Sequence, residues 1–89
     1  MKKYEYTDDI YQDIDGLIIE LRNLGANAIS DRLHLLIHES SWTTCSELFE
    51  ELLKPLSESL IHKKSLNDLS IDKIEGMISF MRSHLSGKK

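Results

Sequence analysis

Apolar residues recur along this chain at steps of three and four, and that rhythm selects the helix. Side chains at i, i+3, i+4 and i+7 share one helix face. From about Asp8 to Leu24 the positions Ile10, Ile14, Leu17, Ile18 and Leu21 follow it, with Thr7 or Asp8 as cap and Gly25 as stop. From about Asn27 to Glu39 the stripe is Ala26, Ile29, Leu33, Leu36 and Ile37. A third period, residues 44–64, runs through Cys45, Leu48, Phe49, Leu52, Leu56 and Leu60. It opens on Thr44-Cys45-Ser46-Glu47, a capping-box pattern. Pro55 lies inside it, removing a backbone donor and crowding the carbonyl of Glu51, so a kinked helix is expected there. A fourth helix is expected after Ser70, running to about Leu85, with Ile71, Ile74, Met77, Ile78, Met81 and Leu85 inward. Residues 63–68 read as a connection.

Composition agrees with the rhythm. Leu and Ile supply 14 and 10 residues, Val is absent and Thr occurs three times, so strand-favouring residues are scarce. Eighty-nine residues make one domain. A chain of this size buries only about 60–65% of its unfolded surface. Short connections make neighbouring helices antiparallel, and the expected fold is an all-α, small antiparallel four-helix bundle. It forms a single helical domain over 1–89, with 1–7 and 86–89 expected to be flexible. One cysteine cannot make an internal disulfide, and the first residues lack an apolar targeting segment. No apolar run approaches the roughly 18 residues of a membrane span. A soluble, cytoplasmic protein is the expectation.

Charge is divided unevenly. Up to Leu53, eleven carboxylates face four bases, a net of −7; from Lys54 on the net is +3. A one-signed field steers encounters with the opposite sign. The C-terminal bases are spread along the chain and the whole is acidic at −4, which argues against a nucleic-acid module.

Few residues point to catalysis. Cys45 opens a helix, where a thiol can become a nucleophile, yet it shares the stripe of Leu48 and Leu52, which favours a core role. His34 and His38 stand four apart, a spacing that can share zinc, but no second pair completes a site. His38, His62 and His84 each fall near a predicted helix end, where they complement the dipole. No catalytic residue, metal ligand or cofactor is assigned.

The carboxylates are the candidates for binding. Asp9, Asp13 and Glu20 form one row on the first helix, and Glu47, Glu51 and Glu58 repeat that spacing on the third. Like charges four apart cost a helix a few tenths of a kcal/mol; such rows suit either plain solvation or a basic partner. Ile19, Leu35 and Phe80 lie off their helices' stripes and, if clustered, would mark an interface. Gly16 interrupts the first helix beside Ile19 and Glu20. Trp42, placed before the capping box, is expected to pack over the helix start.

The stretch Leu24-Gly25 to Leu53, with Leu33, Ile37 and Trp42-Thr43-Thr44-Cys45-Ser46-Glu47-Leu48, resembles a group of small, largely uncharacterised bacterial helical proteins. These carry a Leu-Gly, a helix, then a Thr-x-x-Glu-Leu start to the next helix. In size, acidity and lack of a catalytic motif the chain is also similar in type to immunity proteins of bacterial toxin systems, including contact-dependent inhibition. Neither resemblance carries functional residues over.

The expected function is therefore non-enzymatic: an immunity protein or antitoxin that neutralises a basic toxin domain, such as a nuclease, through an acidic face. Asp9, Asp13, Asp15, Glu20, Glu47, Glu50 and Glu51 are the expected charged contacts, with Tyr11 and Ile19 as apolar ones. The alternative is a self-associating structural or adaptor module using Ile19, Leu35 and Phe80. A weak homodimer fits either reading; direct nucleic-acid or membrane binding fits neither. A small enzyme or metal protein built on Cys45 and the histidines is the third reading.

Overall fold

The computed structural model describes residues 3–39, 45–62 and 64–86. The Thr44 capping box, the seat of Trp42, the burial of Cys45 and the tail from Gly87 lie outside the described residues. The fold is an all-α bundle of four helices, α1 (Thr7–Asn23), α2 (Asn27–His34), α3 (Cys45–Ser59) and α4 (Asp68–Ser86). A π-helical turn, Leu35–Glu39, extends α2, and a 3₁₀ turn, Leu60–His62, extends α3. No strand occurs among the described residues.

The apolar stripes become the core. All five stripe residues of α1 are buried, as are Leu33 and Leu36, Leu48, Phe49, Leu52 and Leu56, and Ile74, Met77, Ile78 and Met81. Burying such a side chain contributes roughly 1.5–3 kcal/mol. Leu66, in the connection before α4, also joins the core. Two serines are buried with it, each satisfied locally: Ser30 Oγ donates to the Asn27 carbonyl at 3.0 Å and Ser59 Oγ to the Leu56 carbonyl at 2.6 Å.

The end of α1 is a Schellman motif. Ala26 N–H reaches the Leu21 carbonyl at 2.9 Å and Gly25 N–H the Arg22 carbonyl at 3.1 Å. Gly25 has φ +86°, which a side chain adopts only under strain.

α3 continues through Pro55, which is buried. α4 begins at Asp68 rather than after Ser70. The reason is a cap: Asn67 Oδ1 accepts the Ser70 N–H at 2.8 Å, satisfying one of the free amides of the first turn.

The leading segment has a place. Tyr4 is 8% exposed and packs with the core, and its hydroxyl donates to Asp13 Oδ2 at 2.6 Å. Periodicity says nothing about a single residue ahead of a helix, so Tyr4 is invisible to it.

Candidate partner-binding face

Of the carboxylates on α1, those at its start are exposed and make no ion pair with a described residue, whereas the exposed Asp15 is paired. Asp8 and Asp9 occupy the first turn, where the macrodipole favours negative charge, and both are exposed. Glu5 is exposed just ahead of them, and Tyr6 between them is 68% exposed. None of these three carboxylates forms an ion pair with a described residue.

Further along α1 the acids serve the fold. Asp13 is half-buried: it accepts from Tyr4, and Lys73 Nζ of α4 lies 3.8 Å away. Asp15 Oδ1 lies 2.5 Å from His38 Nε2. A carboxylate only accepts, so that ring nitrogen carries the proton. Glu20 accepts a short hydrogen bond from Ser70 Oγ, tying α1 to the first turn of α4. The row Asp9, Asp13 and Glu20 is therefore split, with Asp9 wet and the other two bound within the chain.

α3 divides in the same way. Glu51 accepts from Arg32 Nη2 of α2 at 3.3 Å and stands 3.7 Å from Lys54. Glu47, Glu50 and Glu58 are exposed, and Glu47 also engages another group of the chain. Of the apolar candidates, Tyr11 is half-buried against the core and Ile19 is 62% exposed. Of the seven nominated carboxylates, Asp13, Asp15, Glu20 and Glu51 thus bond to other elements of the chain, while Asp9 continues the exposed run of Glu5 and Asp8, and Glu50 is exposed on α3.

Two of the four histidines meet at the surface. The His34 and His38 rings lie 4.9 Å apart, but their nitrogens serve different carboxylates. His34 Nδ1 meets Glu39 Oε2 at 3.0 Å, while His38 reaches across to Asp15. The π turn explains the first pair, since i→i+5 closure brings residues five apart over one another. Among the described residues no group of three or more His, Cys, Asp or Glu is placed to hold a metal ion. His84 stacks edge-on against Phe49 at 5.1 Å, so this histidine packs as well as ending its helix.

Two of the off-stripe apolar residues stay exposed. Asp15 pairs with His38, and Arg22 lies 3.5 Å from Asp31. Seven residues separate the partners on each helix, in opposite directions. This register sets residue i of α1 against residue 53 − i of the facing arm, which places Ile19 opposite His34 and Leu35 opposite Ile18. Ile19 and Leu35 are 62% and 43% exposed. Phe80 does not join them: it is half-buried and packs edge-on against Phe49 at 6.0 Å.

Sequence reasoning missed Glu5, Asp8, Tyr6 and Lys73 as site residues. Local charge density did carry the first two, because they adjoin Asp9 in one acidic run. No family model, curated protein or solved structure matches the chain. No helix among the described residues is long and apolar enough to cross a membrane.

Proposed function

We propose that this chain is a non-enzymatic protein-binding module that neutralises a basic toxin domain in the manner of an immunity protein. The observation that carries the reading is the run Glu5-Tyr6-Thr7-Asp8-Asp9. Three exposed carboxylates without a described cationic partner surround an exposed tyrosine. Carboxylates of one sign steer a basic partner and speed its association. An aromatic ring beside them supplies the kind of anchor on which interfaces depend. A toxin domain that holds phosphate must be basic, so an acidic inhibitor fits its cleft. We place the contact toward the N-terminal end of α1, since Asp13 and Glu20 already bond within the bundle.

The test is co-expression with a panel of basic bacterial toxin domains. Growth protected by the chain, and lost with Glu5→Lys/Asp8→Lys/Asp9→Lys, supports the reading. Undiminished toxicity in the presence of the folded chain contradicts it.

A second reading has its own observation. Ile19 and Leu35 are both exposed apolar residues, and in sequence each lies between residues of the Asp15–His38 and Arg22–Asp31 pairs. A second copy covering them would make the chain a self-associating adaptor. Sedimentation across a concentration series decides: a dimer that Ile19→Lys dissolves supports this reading, and a strict monomer excludes it.

A further inference from the structure

Between α1 and α4 lies a cleft of about 330 Å³. From α1 it is lined by Asp13, Gly16, Leu17 and Glu20. From α4 come Ser70, Lys73, Ile74 and Met77, in the same i, i+3, i+4, i+7 spacing. Two like-spaced helix faces therefore oppose each other across a gap. Leu17, Ile74 and Met77 are buried and form an apolar floor. Gly16 keeps the α1 wall open: a Cβ built there meets nothing within 4 Å.

The two ends of the cleft differ. At one end Asp13 is satisfied, by the Tyr4 hydroxyl on one oxygen and by the Lys73 ammonium near the other. At the other end Glu20 uses one oxygen, Oε1, for Ser70. Its second oxygen takes no hydrogen bond from a described residue. The cleft thus offers one uncompensated carboxylate and an apolar wall about 10 Å long, the rise of seven helical residues.

We infer that the cleft receives an arginine side chain of the basic partner. This rests on the binding function proposed above and names its anchor. Aliphatic stems of long cationic side chains lie readily along apolar surface while the head stays hydrated. A guanidinium at Glu20 can give one N–H to the free oxygen and others to water at the cleft mouth. Lys73 pairs with Asp13 at 3.8 Å, while Glu20 bonds Ser70. Leu69, 63% exposed on the rim, adds apolar cover for the stem.

The test titrates the full chain with Nα-acetyl-arginine amide and follows the backbone amides by NMR. The neutral isostere Nα-acetyl-citrulline amide serves as control. Saturable shifts at Gly16, Leu17, Ser70 and Ile74 are expected, with citrulline at least about tenfold weaker. Gly16→Leu, which fills the open wall, abolishes them. Glu20→Gln keeps an oxygen for Ser70 and weakens arginine by about tenfold. Equal response to citrulline, shifts away from the cleft, or indifference to Gly16→Leu overturns the proposal. The broader reading fails separately. A basic partner that needs Glu5, Asp8 and Asp9 but ignores Gly16→Leu refutes the anchor alone. Arginine bound in the cleft with no partner association refutes the module alone.

Discussion

The Tyr4 hydroxyl donates a 2.6 Å hydrogen bond to Asp13 Oδ2, nine residues on, and this bond turns the leading segment into part of the bundle. Removing the hydroxyl alone leaves a half-buried carboxylate short of a donor. Hydrogen bonds to charged groups contribute about 1.5–3 kcal/mol. Tyr4→Phe is expected to lower the unfolding free energy by that order at pH 7, measured by urea denaturation.

The same bond makes stability fall in alkali. Burial first, and then the Asp13 hydrogen bond and charge, push the Tyr4 phenol well above its ordinary 10.0. The folded chain therefore keeps a proton that the unfolded chain releases. Its contribution is complete below about pH 10 and declines as pH rises further, by at most about 1.4 kcal/mol per pH unit. Tyr4→Phe lacks this loss. The stability gap between the two proteins is expected to narrow from pH 9 to pH 10.5; a constant gap contradicts the assignment.

Two glycines respond in opposite directions. Gly25 holds φ +86° in the turn after α1, so Gly25→Ala is expected to cost about 1–2 kcal/mol. Gly16 is helical and faces open space, so Gly16→Ala is expected to stabilise by about 0.5–1 kcal/mol. Thermal unfolding of both variants reads the two signs.

Ile18 and Ile19 are chain neighbours at 4% and 62% exposure. Ile18→Ala removes a packed side chain and is expected to cost about 2–5 kcal/mol. Ile19→Ala is expected to fall within about 0.5 kcal/mol. Denaturant midpoints of the pair test the placement of the α1 face.

Asn67→Ala removes the acceptor for the Ser70 amide. A loss of about 1 kcal/mol is expected, together with faster hydrogen exchange at Asp68, Leu69 and Ser70 than elsewhere in α4.

Much of this architecture is legible in the sequence because it is local. The stripe Ile10, Ile14, Leu17, Ile18 and Leu21 defines α1, and Gly25 marks its end. Asn67 was legible too, as an Asn three residues before Ser70, but the apolar rhythm begins later and set the boundary too late. The π turn at Leu35–Glu39 was not: its residues fit an α-helical stripe equally well, and only the backbone closure distinguishes them. The fate of the carboxylates was least legible. Whether Asp15, Glu20 or Glu51 stays wet depends on His38, Ser70 and Arg32, which are distant in sequence. Spacing places an acid on a face, and only tertiary neighbours decide whether it is already satisfied.

Asp13 shows why this matters for any test of binding. Reversing it would break its bond with Tyr4 and set lysine beside Lys73, so lost association could reflect lost structure. Glu5, Asp8 and Asp9 are exposed and carry no such bond to a described residue, and their reversal reads recognition.

The most direct measurement is stopped-flow association of the purified chain with the basic toxin domain it protects against, at two ionic strengths. A rate that falls as salt rises and drops about tenfold or more in the Glu5→Lys/Asp8→Lys/Asp9→Lys variant is expected. A rate indifferent to both salt and the triple reversal, or no association at all, contradicts the proposed function.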